Sequence, residues 1–355
     1  MKHFYRLAPN RVWRTYLGGK TLDGISGAAH PEDTHFPEDW LLSTTRAVNI
    51  GREEIDEGVS RVETEAGVLP LPELFARRGE EILGARHLGK FGPNPGFLLK
   101  YLDSAIRLHL QCHPTIPFAR KFLGSCSGKS EGYCILGVRP GCEGYIYLGF
   151  QHPVSCEEFR RIVSEQDIPA LLGCFDKIPV HPGDAFYVPG GYPHAIGEGV
   201  FMIEMMEPTD FVVRVEFERG GYRLPEASRF MGRGIDFAMS MFDFSLSPVE
   251  TIRRERFVTP SPLPAAGAAE RFSLFDARYT KCFRAEKIVV RGPAEVAHDS
   301  FRVLIVTNGS GVVECGSERC ELRRFDRILV PRSSGKLRFD TADTMEIFAA
   351  LPPEV

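Results

Sequence analysis

Two histidines, a carboxylate and an amide are spaced along this chain so that they could hold one divalent cation. In Ile106-Arg107-Leu108-His109-Leu110-Gln111-Cys112-His113, the apolar Leu108, Leu110 and Cys112 alternate with Arg107, His109, Gln111 and His113. That is the period of a strand with one apolar and one polar face, and such a polar face either meets solvent or lines a site. On extended backbone Gln111 and His113 project to the same side, about 7 Å apart at Cα, and can share an ion. Gly183-x5-Pro189-x-Gly191-x2-His194 supplies the second imidazole. Its glycines permit a tight turn, its proline ends the strand, and its histidine is aimed inward from a rigid position. Taken singly, the first segment reads as a polar strand facing water, whereas the second already favours a metal ligand over a hairpin with a structural histidine. Together with Glu131, in Gly128-Lys129-Ser130-Glu131, they form a nitrogen and oxygen set that suits zinc or another first-row divalent metal. No thiolate is needed. The nine cysteines, odd in number and without a regular framework, read as reduced thiols of a cytoplasmic protein.

Those side chains need a β framework to position them. The 35 glycines and 26 prolines punctuate short apolar runs, as in a turn-rich β protein. Strands are predicted over 144–150, 184–188 and 200–206, and helices are fewer. Ser155-Cys156-Glu157-Glu158 matches a capping box, with a helix continuing through Val163, and a second helix is predicted over 167–175. The stretch 251–271 is proline-rich and contains Pro264-Ala265-Ala266-Gly267-Ala268-Ala269, so it reads as a linker. Beyond it, strands at 301–307 and 312–315 flank a turn at Asn308-Gly309-Ser310-Gly311. A length of 355 residues fits about two domains, here 1–255 and a β-rich 256–355. A faint repeat links them: Gly183-Asp184-Ala185-Phe186-Tyr187-Val188-Pro189 resembles Phe325-Asp326-Arg327-Ile328-Leu329-Val330-Pro331. In the same register His194 meets Lys336, so the first copy can bind metal and the second cannot.

The segment ending in His194 matches the second conserved motif of the cupin superfamily at every defined position. The usual first motif, His-x-His followed by Glu, is replaced by Gln111-Cys112-His113-Pro114. Four segments, Gln111-Cys112-His113-Pro114, Gly128-Lys129-Ser130-Glu131, Pro189-x4-His194-Ala195 and Asp210-Phe211-Val212-Val213-Arg214, occur in the order seen in type I phosphomannose isomerases. Glu38-Asp39-Trp40 through Ser43 is similar to that family's N-terminal signature. The resemblance runs from about residue 10 to 220. It implies a mainly β fold of two cupin, or jelly-roll, barrels, with a small helical insertion at about 155–178 in the first and no metal in the second. It implies a zinc-dependent isomerase interconverting mannose 6-phosphate and fructose 6-phosphate, with one zinc per chain on Gln111, His113, Glu131 and His194. By the same resemblance Lys129 and Arg214 match basic residues at the substrate, and Glu204 an active-site glutamate. Where the family has a small hydroxyl residue near the phosphate, this chain has His109. It also has Val213 before Arg214 in place of tyrosine.

The chemistry agrees with those residue types. Moving a carbonyl between C1 and C2 requires a proton to leave the neighbouring carbon and an enediolate to be stabilised, the second being work for a divalent cation. Glu204 is the candidate base; its other reading is a buried polar residue paired with an arginine. Arg214 and Lys129 could hold a phosphate dianion, one as a fork and one as a point charge. Two rivals use the same ligands: a non-catalytic cupin that binds a sugar or sugar phosphate, and an isomerase for another sugar. An iron-dependent oxygenase would favour a more histidine-rich set. The formal charge, 43 basic against 47 acidic residues or −4, gives no reason to expect a nucleic-acid partner. No apolar run approaches the roughly 18 residues of a membrane span, and the N-terminal residues lack the apolar stretch of a signal peptide.

Overall fold

A computed structural model describes residues 2–65 and 67–355; Met1 and Ala66 lie outside the described residues. The fold is mainly β. A six-stranded antiparallel sheet runs in the order Ala185–Val188, Glu131–Val138, Val200–Met206, Leu98–Asp103, Glu38–Leu42, Arg11–Val12. Facing it is a five-stranded sheet in the order Ile178–Pro179, Tyr145–Leu148, His194–Ile196, Gln111–Cys112, Val213–Arg214. Leu102, Tyr133, Ile135, Val188 and Met202 of the first pack on Ile146, Leu148, Ile178 and Ile196 of the second, closing the first cupin barrel.

The second barrel is one continuous sheet. Its long strand Arg284–Ala297 pairs with Met345–Leu351 along its first half and with Lys336–Asp340 along its second. One strand shared by two partners in this way curls the sheet onto itself. Tyr5–Arg6, from the other end of the chain, joins this sheet beside Arg327–Val330. Between the barrels lies a further apolar layer, where Leu99, Tyr101, Ile203 and Met205 meet Val303, Ile305, Leu329 and Phe348. Strand Val200–Met206 is therefore buried along its whole length, its even residues facing the first barrel's interior and its odd residues facing the second barrel.

The helical insertion forms as Cys156–Glu165 and Ile168–Leu172. The Ser155 hydroxyl accepts from the Glu158 backbone N–H, which is half of a capping box. The expected linker at 251–271 is instead ordered: helix Val249–Arg256 leads into strands Ser261–Leu263 and Ala266–Phe275. Proline is tolerated there because Ser261–Leu263 pairs only with Ala266–Phe275 and so forms an edge. The alternating segment 106–113 is a strand only at Gln111–Cys112, and its polar residues Arg107, His109 and His113 are as buried as its apolar ones. Helices Leu71–Ile82 and Ala85–Phe91 were not anticipated. The first buries Leu71, Leu74, Phe75 and Ile82 on one face, the spacing of an amphipathic helix.

The repeat holds in detail. Ala185–Val188 and Arg327–Val330 are equivalent four-residue strands, and the residues two before them, Gly183 (φ 96°) and Phe325 (φ 71°), are both left-handed. Phe325 adopts at some steric cost what Gly183 adopts freely. His194 and Lys336 each open the following strand, but Lys336 is exposed. No helix among the described residues is long and apolar enough to cross a membrane.

Candidate metal centre and active site

Cross-strand pairing assembles the ligand set. In the five-stranded sheet His194 lies opposite Gln111, and Gln111 opposite Arg214. In the facing sheet Glu131 stands between Val188 and Met206. The ligand atoms of His113, Glu131 and His194 lie within 4.8 Å of one another, all three residues being buried. His113 Nε2 is 3.1 Å from Glu131 Oε1 and His194 Nε2 is 3.3 Å from Glu131 Oε2. The Gln111 amide nitrogen lies 3.3 Å from His194 Nε2, so half a turn of the amide brings its oxygen into the same cluster.

Both rings are oriented from behind. His113 Nδ1 lies 2.8 Å from the Phe211 carbonyl and His194 Nδ1 2.9 Å from the Tyr192 carbonyl. Each Nδ1 therefore carries the proton and each Nε2 presents its lone pair, as ligating histidines do. Burial pushes the His113 imidazole down to about 3, so it stays neutral. The Glu131 carboxyl, despite burial, is held well below the usual carboxylate range, with the Lys129 ammonium as its charged neighbour. Two lone pairs aimed at a carboxylate need positive charge between them. The Lys129 ammonium, 3.3 Å from Glu131 Oε1 and 3.4 Å from His113 Nε2, supplies some of it. The donor set, two imidazoles with a carboxylate and an amide oxygen, fits a first-row divalent metal.

Glu204 sits beside this cluster in a buried charge network. Its cross-strand neighbours are Lys100 and Tyr133, and Lys100 Nζ bridges Glu204 Oε2 and Glu38 Oε1 at 3.1 Å each. Its partner is thus a lysine, where the sequence suggested an arginine as the alternative. Burial, opposed by Lys100 and reinforced by Glu131, pushes the Glu204 carboxyl up to about 8. Glu38 accepts from Tyr16 Oη and Trp40 Nε1, each at 2.7 Å, and from Arg14 Nε at 2.9 Å. Arg14 also reaches Asp210 at 3.1 Å. Tyr133 Oη donates to Glu131.

A cavity of about 30 Å³ is lined by Glu131, Lys129, Glu204, His109 and Arg214 among others. Arg214 bonds the Ser228 carbonyl at 3.3 Å. His109 is buried, with Nδ1 3.0 Å from the Glu216 carbonyl. Burial first, and then the charge of Arg214, push its imidazole down to about 4. At neutral pH it fills space as a neutral ring and brings no charge to an anion. Glu207 was not foreseen. It accepts from the Gly128 and Ser130 backbone N–H groups and from the Ser130 hydroxyl at 2.8–3.0 Å, fixing the loop that carries Lys129 and Glu131. Lys100 was hidden in the apolar run Leu98-Leu99-Lys100-Tyr101-Leu102. Glu38, Trp40 and Asp210 lay in the recognised motifs, but without a role.

No family model matches the chain. It is 28% identical over 343 residues to the mannose-6-phosphate isomerase of Streptococcus mutans, covering 96% of this chain and 94% of that protein. It is 32% identical over 134 residues to the mannose-6-phosphate isomerase ManA of Bacillus subtilis, 37% of this chain and 40% of that one. Among solved structures, a mannose 6-phosphate isomerase from Bacillus subtilis superposes with a TM-score of 0.75 at 21% identity, covering 98% of this chain and 99% of that one. A mannose 6-phosphate isomerase bound with zinc and yttrium superposes over the whole of both chains, with a TM-score of 0.73 at 14% identity. In sequence over nearly its whole length, and in fold, the chain is a relative of the phosphomannose isomerases.

Proposed function

We propose that this chain is a zinc-dependent aldose–ketose isomerase of carbohydrate metabolism interconverting mannose 6-phosphate and fructose 6-phosphate. The observation that carries the reading is the approach of His113 Nε2 and His194 Nε2 to the two oxygens of Glu131, in a chain alike over 96% of its length to a mannose-6-phosphate isomerase. Gln111, His113, Glu131 and His194 would hold one zinc ion. A divalent ion there supplies Lewis-acid polarisation of the sugar carbonyl and hydroxyl. Glu204 takes the proton from C2 of the open-chain aldose and returns it to C1, while the O2 hydroxyl proton passes to O1, giving the ketose. Its raised pKa (about 8) suits a group that must both accept and release a proton near neutrality. Lys100, hydrogen-bonded to Glu204 Oε2, holds that carboxylate in place when it is ionised. Arg214 and Lys129 hold the phosphate. The division of the chain near residue 255 and a cytoplasmic location belong to the same reading. The latter is supported by nine cysteines that are all free.

A specific observation favours a second reading. A cavity of about 30 Å³ holds a water or two, and His109 occupies the place of a smaller residue. An isomerase for another sugar, or a protein that binds a sugar phosphate without turnover, fits that narrowness. A coupled assay of mannose 6-phosphate conversion, before and after chelation with zinc add-back, separates the readings. Turnover that vanishes with chelator and returns with zinc establishes reaction and metal together. No turnover with the metal fully bound overturns the isomerase assignment for this substrate.

A further inference from the structure

The C-terminal barrel has a polar cluster of its own. Along strand Arg302–Asn308, Leu304 and Val306 lie in that barrel's core with Ile288, Val290 and Val296, so Arg302, of the same parity, points into the barrel. Its residue is 1% exposed. Glu286 comes two residues before Ile288, Arg271 pairs across from Ile288, and Glu286 pairs with Ala349 of the same core. Glu286 is already engaged by Arg271, at 2.8 Å from Nη2 and 3.2 Å from Nε. It stands 3.9 Å from Arg302 Nη1, beyond hydrogen-bond reach. Arg284, on the same strand and face as Glu286, bonds the Pro352 carbonyl at 3.0 Å. Four buried side-chain atoms here have no hydrogen-bond partner among the described residues: Arg302 Nε, Arg302 Nη1, Ser300 Oγ and His298 Nε2.

Arg302, Arg271 and Arg284 surround the half-buried Glu286, and the central Arg302 guanidinium has no hydrogen-bond partner at Nε or Nη1. A buried donor left without a hydrogen bond costs free energy, and orphaned buried donors of this kind are rare in folded proteins. We propose that this end of the C-terminal barrel is a binding site for a small oxyanion, a phosphate or carboxylate group, held by Arg302 through its Nε–H and by the Ser300 hydroxyl, with His298 at its edge. The Nε–H offers such an anion a charge-assisted hydrogen bond. The neutral ring of His298, whose Nδ1 lies 2.8 Å from the Ser300 carbonyl, leaves Nε2 as an acceptor. That atom can accept a hydrogen bond from a hydrogen phosphate and not from a carboxylate. His298 and Ser300 are half-buried. This site is separate from the proposed catalytic one and stands or falls without it.

The test uses the full chain in an Arg214→Ala background, to weaken anion uptake at the first site. The melting temperature is followed against sodium phosphate and, separately, sodium acetate, with sodium chloride at equal ionic strength as reference. We expect a saturable rise of about 2 °C or more above chloride with at least one probe, lost when Arg302→Met is added. The probe that gives the rise identifies the ligand class. No rise with either probe, or the same rise in the Arg302→Met protein, overturns the site. Should that variant fail to fold, Ser300→Ala decides. The midpoint concentration should increase about 2- to 10-fold, as expected for one lost hydrogen bond, and an unchanged midpoint overturns the site.

Discussion

His113 and His194 are each pinned at Nδ1 by a backbone carbonyl, so replacing either removes a proposed ligand whose direction was already set. His113→Ala or His194→Ala should retain little metal after gel filtration while keeping the far-ultraviolet dichroism of the parent, with metal content read by elemental analysis. Full occupancy in either variant would remove them from the ligand set. Arg214→Ala should raise KM for the sugar phosphate by about tenfold or more, since a charge-assisted contact contributes about 1.5–3 kcal/mol. An unchanged KM places Arg214 away from the phosphate. Glu204 tests the network by linkage. Its folded pKa, about 8, lies above the ordinary carboxyl value, so the folded state binds the extra proton. The resulting stability is fully present below about pH 4.5 and is lost as pH rises toward 8. In metal-free protein, Glu204→Gln should therefore raise the melting temperature relative to the parent more at pH 8 than at pH 5. That Gln111, His113 and His194 could converge was legible in the sequence, because strand spacing and the turn before His194 are local. The Lys100 bridge was not, because a lone lysine in an apolar run shows nothing of the two carboxylates that distant strands bring to it.

At the level of elements, the loop Gly128-Lys129-Ser130-Glu131 owes its shape to Glu207, which draws in two backbone N–H groups and a hydroxyl. Glu207→Gln keeps the volume and loses the charge. Metal affinity should fall about 10- to 100-fold, the effect expected of a group that orients a ligand, and a competitive chelator titration measures it. Affinity equal to the parent's would show that the loop holds its shape without the charge. The elements themselves divide by how local their causes are. Cys156–Glu165 was legible from its cap and Val200–Met206 from its length and apolarity. The ordered stretch 249–275 was not, because Ser261–Leu263 and Ala266–Phe275 become strands only through pairing with each other and with Arg284–Ala297, and no local propensity records that pairing.

At the scale of the whole molecule, the two barrels share one apolar layer, a chain end that crosses from one to the other at Tyr5–Arg6, and an ion pair between the buried Asp39 and Arg327 at 3.1 Å. Thermal unfolding should accordingly be one cooperative transition, with calorimetric and van't Hoff enthalpies equal; two resolved transitions would show that the barrels melt independently. Residues 1–255 expressed alone should aggregate, since Leu99, Tyr101, Ile203 and Met205 would lose their cover. The shared strand has a consequence for descent. Glu204 and Met202 look toward the chemistry while Ile203 and Met205 look toward the second barrel, one residue apart on the same backbone. A change of volume at Phe348 or Val303 should thus reach Glu204, the proposed base, through a single thickness of polypeptide. The barrels cannot be exchanged among relatives as modules, and a chimaera joined near residue 255 should recover turnover only when Phe201, Ile203 and Met205 are inherited from the same parent as its C-terminal half.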